Sequence, residues 1–304
     1  MTKTILISGG SGLIGQRLTE RLLHLGHSVR ILSRHQSHDL AGTVYQWDLE
    51  KGWIDPSALK DLDIVINLAG AGIADRRWTS RRKEVLRHSR LAGNELLLRE
   101  LSTHNIKPEL YLGASAIGIY GNRGSELLDE SSDSGSSADF LVELCEAWER
   151  SQSAFGRICK RVVSVRIGLV LSMDGGALPP LYKSIILGIG AILGSGQQYM
   201  SWIHINDLVE TFIHAIEHKE VEGIVNGTAP QPGTHSSFIR TLVQMKGGLG
   251  LTFKIPAVIL RAIMGDMSQI LLDGARVVST KMPRTDFTYQ YGDLESALQN
   301  LISK

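Results

Sequence analysis

The stretch from Ile5 to Arg34, "ILISGGSGLIGQRLTERLLHLGHSVRILSR", restricts the fold more than any other part of the chain. "TILIS" is a continuous apolar run of the buried-strand kind. After a glycine-rich turn come Leu18, Leu22 and Leu25 at helical spacing, and Gly26 stands where a glycine ends a helix. "SVRILS" then reads as a second strand. A strand that returns through a helix lies parallel to its predecessor, and the crossover is right-handed. The opening is therefore a β-turn-helix-β unit.

The alternation continues. "VYQWD" reads as a third strand and "DIVINLAG" as a fourth. A long helix from about Thr79 to Ser102 leads to "LYLGASA", the fifth. A helix over about Asp139 to Phe155 precedes "RVVSVRIGLVL", the sixth. This order predicts an α/β fold of Rossmann type, a doubly wound parallel sheet with helices on both faces. Beyond it the texture changes. Residues 172–200 are rich in glycine and proline and read as a loop-rich lobe that returns to the sheet near "SWIHI". "EGIVNGTAP" reads as one more strand and turn. From about Gln231, short amphipathic helices such as "SSFIRTLVQMK" and "DLESALQNLI" dominate. The expected division is a cofactor-binding domain over 1–230, with 172–200 lent to the second lobe, and a smaller, mostly helical substrate-side lobe over 231–304.

Composition narrows the function. A formal net charge of +1 with no long run of one sign argues against a nucleic-acid binder. No apolar run reaches the roughly 20 residues of a membrane span. Two cysteines, Cys145 and Cys159, with no CxxC pair, leave no framework for disulfides or a zinc site, so no metal is expected. "MTKT" enters the first strand directly, without a signal peptide. The expected protein is cytoplasmic, a monomer or homodimer, with a small molecule as its partner.

Gly9, Gly12 and Gly15 form GxxGxxG between a strand and a helix. The first permits the turn, the second lets backbone approach a pyrophosphate, and the third lets helix and strand pack closely. With Ser11, Leu13 and Ile14, they open a helix whose free N–H groups suit phosphate. The second strand ends in Ser33-Arg34-His35, where NAD binders usually place an acid. A guanidinium pairs with a 2′-phosphate that an acid would repel, so NADP(H) is the expected cofactor.

"SGGSGLIG", "WDL" (47–49), "NLAG" (67–70), "GASAIGIYG" (113–121) and "SWIHINDLV" together resemble the extended short-chain dehydrogenase/reductase family, which includes NAD-dependent epimerases and dehydratases of sugar nucleotides. "RRWTSRRKEVLRHSR", "GSGQQYMSWIHINDLV" and "IPAVILRAIMGD" look like its atypical "epimerase family" branch, with a C-terminal domain of unknown function. The resemblance implies that Asp48 and Leu49 flank an adenine and that Leu68, Ala69 and Gly70 run along the ribose and pyrophosphate. It also implies a Ser or Thr after the fifth strand and a YxxxK on the next helix. Ser115 matches the first, but Phe140 and Leu144 fall at the tyrosine and lysine. Where sugar-nucleotide epimerases commonly carry an arginine for the diphosphate, this chain has Met200 and Ser201. Arg76, Arg77 or Lys83 would be the replacement cations.

The remaining candidates have two readings each. Ser115 and Tyr120 form the best available proton-relay pair; otherwise Tyr120 merely lines the cofactor site. Trp78 and Trp202, with Arg76, either contact substrate in the cleft or fill the lobe interface. The basic stretch Arg76–Arg90 is either an anion-facing loop and helix start or a solvated helix face. His204, without further ligands, reads as structural. Two functions follow. The first is an NADP(H)-dependent oxidoreductase or epimerase-like enzyme on a small polar, sugar-type substrate. The second is a cofactor-binding regulatory or scaffold protein without catalysis; some relatives in this branch are named for roles in division.

Overall fold

The computed structural model describes residues 2–35 and 39–303. The strands are β1 Thr4–Ser8, β2 Ser28–Ser33, β3 Thr43–Asp48, β4 Trp53–Ile54, β5 Ile64–Asn67, β6 Leu110–Ala116, β7 Arg161–Ile167 and β8 Gly223–Gly227. They form one sheet in the order β8-β7-β6-β5-β1-β2-β3-β4. All pairs are parallel except β3 with β4. The connecting helices are α1 Leu13–His24, α2 Ser80–Thr103, α3 Phe140–Ser153 and α4 Ile205–Glu217. Strand alternation explains why both faces are apolar. Ile5, Ile7, Ile64 and Ile66 meet Leu18 and Leu22 of α1 and Phe212 of α4 on one face. Leu6, Val65 and Tyr111 meet Leu96, Leu97 and Phe155 on the other. The chain leaves β1 for β2 on one side and reaches β5 on the other, so the sheet's switch point lies between β1 and β5.

The second lobe differs from the loop-and-helix expectation. Four short strand pairs organise it: Leu169–Leu171 with Trp202–His204, Tyr199–Met200 with Gly233–Thr234, Ile189–Leu193 with Leu251–Ile255, and Leu127–Leu128 with Arg276–Val277. The apolar run "RVVSVRIGLVL" breaks at Gly168, where a Cβ would overlap the Ser201 carbonyl oxygen. α5, His235–Lys246, and the terminal helix Leu294–Ile302 pack around Leu171, Leu178, Trp202 and Phe238. Both were legible as amphipathic helices.

Residues 275–280 clasp the lobe to the sheet. Ser201 Oγ donates to Ala275 O at 2.7 Å and accepts from Val277 N at 2.8 Å. Asn226 Nδ2 donates to Val278 O at 2.9 Å. The Glu130 carboxylate accepts from Asn226 N, Ser279 Oγ and Thr280 N at 3.0, 2.5 and 2.9 Å. Among the described residues no helix is long and apolar enough to cross a membrane.

His235 opens α5, with its backbone N–H on Gln198 O at 2.9 Å. Its ring is buried and, among the described residues, both ring nitrogens lack a partner. Burial pulls the imidazole from 6.5 down to about 4. Between those values the unfolded chain takes up a proton that the folded protein refuses, so stability falls as pH drops through that window. The loss should reach about 3 kcal/mol at about 1.4 kcal/mol per unit. Urea midpoints at pH 7 and pH 4.5 should therefore differ more for wild type than for His235→Leu. Equal differences would place the acid sensitivity elsewhere.

Candidate functional site

The turn after β1 explains its glycines one at a time. Gly9 has φ +77°, and a Cβ there would lie 2.7 Å from the Leu68 carbonyl carbon and 2.8 Å from Ala69 N. Gly10, unmarked by the motif, leaves room for Ile31, and a Cβ on Gly15 would overlap Gly9 O. Gly12 differs from these: a Cβ there would meet only Gly9 O, at 3.4 Å. Protein packing does not require this glycine. What it keeps clear is the space before the N-terminus of α1, where the first-turn N–H groups of Leu13, Ile14 and Gly15 have no partner within the helix. The helix's first turn carries no acid, and no side chain caps it. Ser11 is exposed beside it, and its carbonyl accepts from Gln16 Nε2 at 2.9 Å. The loop at Asp174–Gly176, which sequence did not single out, closes one side. Arg17 pairs with Asp174 at 2.7 Å, and the Leu13 side chain lies against Gly175 and Gly176.

Across the switch point, the loop after β5 is pinned from beneath. Leu68 N donates to Ser8 O at 2.9 Å, and Ala69 N donates to Asn67 Oδ1 at 3.0 Å. Asn67 also accepts from Ser8 Oγ at 2.5 Å and donates to Asn94 Oδ1 at 2.5 Å. Tyr111 OH donates to the same Asn94 oxygen, and Asn94 Nδ2 to Ser151 Oγ at 2.7 Å. A satisfied buried network of this kind fixes backbone position. Leu68 and Ala69 are half-buried, and Gly70 is exposed at the rim.

Ser33 and Arg34 lie at the open end of β2. Ser33 Oγ accepts from His35 N at 3.3 Å. Arg34 is exposed and forms no ion pair among the described residues. At the end of β3, Asp48 accepts from the N–H groups of Lys51 and Glu50, both at 3.0 Å. These two bonds, Lys51 first, hold its carboxyl below the usual range. Leu49 packs at the edge of the core.

The structure joins Ser115 and Tyr120 through residues that sequence reasoning missed. Ser115 Oγ donates to Glu149 Oε1 at 2.7 Å. Glu149 receives both Arg166 Nε and Nη2, at 2.8 and 2.9 Å. Arg166 Nη1 donates to Tyr120 OH at 2.9 Å, and that hydroxyl also meets Asn226 Oδ1 and Asp129 O at 2.9 Å. Burial alone would pull the Arg166 guanidinium down, and Glu149 with Tyr120 more than reverses that. The available signal was an arginine between the apolar Val165 and Ile167 of a strand. Tyr120 has no exposed surface, and burial pushes its phenol up against the partial offset of Arg166. With its hydroxyl engaged by Arg166, Asn226 and Asp129, Tyr120 braces the ends of β6, β7 and β8. Ser115 is buried in the same network.

Trp202 is fully buried in the second lobe among Leu178, Phe238 and Ala229. Trp78 is packed as well. Its Nε1 donates to Ile73 O at 2.9 Å, and its ring meets Phe140 edge-on at 5.2 Å. Phe140 starts α3 and Leu144 lies buried one turn later. Both join Trp78, Leu86, Met267 and Ile270 in one apolar cluster between the lobes. Lys83 Nζ stands 5.2 Å over the Phe140 ring and pairs with Asp266 at 2.7 Å. Arg76 is exposed beside this cluster in sequence. His204 N-caps α4, its Nδ1 accepting from Asn206 N at 3.1 Å. Cys145 is buried, its thiol pushed up to about 12 by desolvation.

The geometry can be set against known proteins. Residues 5–226 match the model of the NAD dependent epimerase/dehydratase family, and 255–301 match a domain of unknown function. An epimerase family protein of Staphylococcus epidermidis is 37% identical over 304 residues, covering 99% of both chains. One from Mycobacterium bovis is 36% identical over 296 residues, covering 97% of this chain and 96% of its own. Among solved structures, a human epimerase family protein crystallised with NADPH superposes with TM-score 0.87 at 29% identity over 99% of both chains. A nucleoside-diphosphate sugar epimerase from Corynebacterium glutamicum gives TM-score 0.80 at 27% identity, over 99% of this chain and 58% of its own.

Proposed function

The chain belongs to the NAD-dependent epimerase/dehydratase family, an NAD(P)-binding family, and from that premise we propose that it holds NADP(H) and performs hydride chemistry on a small polar, sugar-type substrate. The observation that carries this reading is the space kept open by Gly12 before the unpaired N–H groups of α1, beside the pinned Leu68–Gly70 loop. Arg34, exposed at the end of β2, supports the 2′-phosphate, as does the NADPH in the human structure. When bound, the cofactor supplies hydride chemistry; the chain supplies position and charge. Gly9, Ser11, Gly12, Leu13, Ile14 and Gly15 would receive the phosphates. Ser33 and Arg34 would take the 2′-phosphate. Asp48, Leu49 and Leu68–Gly70 would line the rest. Phe140 and Leu144 hold no proton at the positions of the family dyad. Arg76, Arg77 and Lys83 are the cations that would face an anionic substrate.

Fluorescence titration with NADPH and NADH is the direct test. Wild type should prefer NADPH, and Arg34→Ala should weaken NADPH about ten- to a hundredfold while leaving NADH nearly unchanged, the worth of one charge-assisted pair. Equal curves for the two cofactors in wild type would overturn the NADP(H) assignment. NADPH oxidation against aldehydes, ketones and nucleotide sugars tests the reaction. Tight NADPH binding with no turnover across that panel would replace the enzyme reading with the regulatory or scaffold one.

A further inference from the structure

Residues 175–206 and 223–265 contain no aspartate or glutamate, in a chain that carries 31 acids elsewhere. Five cations stand in these stretches: Lys183, Arg240, Lys246, Lys254 and Arg261. None of them forms an ion pair among the described residues. The whole chain has a net charge of only +1, so this part of the second lobe concentrates positive charge locally.

The most exposed large apolar side chains among the described residues, Leu187, Val258, Ile186, Ile263 and Leu249, lie in the same stretches. Leu187 and Leu249 meet at adjoining turn tips, Leu249 N donating to Leu187 O at 3.0 Å. From there the paired strands Ile189–Leu193 and Leu251–Ile255 run on, with Phe253 52% exposed, towards the helix Ala257–Met264. That helix buries only Leu260. By helical periodicity Val258, Ile259, Ala262 and Ile263 share its outward face, and Arg261 stands at the rim. Lys254 directly follows Phe253, and Lys246 Nζ is held on Tyr182 O and Ile185 O at 2.8 and 2.6 Å, close to the Leu187 tip.

Apolar tips flanked by unpaired cations match a surface that is anionic outside and apolar beneath, the profile of a bilayer with acidic phospholipid. The residue types favour lipid over a protein partner. This face is aliphatic with one aromatic ring, whereas protein interfaces centre on tryptophan, tyrosine and arginine. We infer that the second lobe rests on an anionic phospholipid surface, with Leu187, Leu249, Phe253, Val258 and Ile263 entering the headgroup layer and Lys254 and Arg261 on the phosphates. The contact is peripheral, since no helix among the described residues is long and apolar enough to cross.

The test is flotation of the full chain with vesicles of phosphatidylcholine, alone or mixed with an equal part of phosphatidylglycerol. Wild type should bind the mixed vesicles at least about tenfold more tightly than phosphatidylcholine alone, and high salt should release it. Val258→Asp/Ile263→Asp should abolish flotation. Lys254→Glu/Arg261→Glu should weaken it at least about twentyfold, since each cation near such a surface is worth roughly fivefold. All four side chains are exposed, so both double variants should keep the circular dichroism of wild type. A wild type that floats with neither vesicle overturns the inference. So does flotation that survives Val258→Asp/Ile263→Asp, or that is indifferent to phosphatidylglycerol. A wild type with the mass of two chains that Val258→Asp/Ile263→Asp reduces to one overturns it as well, and gives the face to a second copy.

Discussion

Gly12→Val should abolish NADPH binding in a protein that still folds. The backbone at Gly12, φ −79° and ψ 170°, is open to any residue, and a Cβ would meet only one protein atom within 4 Å. Losing glycine at an N-cap to valine costs roughly 1 kcal/mol, which a domain of this size tolerates. The isopropyl group instead fills the space from which an anion would reach the α1 N–H groups. At a concentration of 100 Kd, NADPH should stabilise wild type by about 2.7 kcal/mol, and the variant by nothing. Thermal shifts with and without NADPH read this directly. The neighbouring glycines give the contrast. A side chain at Gly9 or Gly15 collides with backbone, so those variants should fail to fold rather than fail to bind. A Gly12→Val protein that shifts like wild type would mean that phosphate sits elsewhere.

The second large effect concerns the pair beneath the other end of the sheet. Glu149→Ala should lower stability by about 3–5 kcal/mol, because it leaves the Arg166 guanidinium buried without its carboxylate. The two side chains are only 13% and 10% exposed, so water does little to replace the lost bonds. Tyr120→Phe should cost about 1–3 kcal/mol, since Arg166 and Asn226 each lose one partner, and should leave NADPH affinity unchanged. Urea unfolding with NADPH titration of the same samples separates the two effects. If Tyr120→Phe keeps its stability but loses turnover on a substrate of wild type, the phenol is catalytic after all. An unchanged urea midpoint for Glu149→Ala would remove the pair from the account of stability.

What could be read in advance divides by distance along the chain. β1, α1 and β2 announce themselves within thirty residues, through an apolar run, a helical stripe and glycines at fixed places, so local pattern sufficed. The expected helix over about Thr79–Ser102 is Ser80–Thr103, within one residue at each end. The partners of Tyr120 were not legible because "IYG" is local, whereas Asn226, one of the groups that hold its hydroxyl, lies 106 residues away. The partners of Trp202 were hidden in the same way, since its burial depends on α5 and Leu171. The strand Leu251–Ile255 was invisible, because the strand it pairs with lies some sixty residues earlier in a stretch that looks like loop. Arg166 could have been caught: a cation inside a buried strand requires an acid somewhere, though not one that sequence can name.

The clasp formed by residues 275–280 also sets a timetable. On a ribosome adding about 5–20 residues per second, β8 emerges several seconds before the residues that close over its end. Through that interval Asn226 and the Glu130 carboxylate await Val278, Ser279 and Thr280. The newborn chain thus carries an unfinished sheet edge for roughly fifty residues of synthesis, the kind of edge that invites wrong pairing. Purified chains ending at residue 270 should be cut by protease around β8, and chains that include residues 275–280 should resist. Closure of this sheet edge thus waits for residues 275–280, made some fifty positions after the strand they cover.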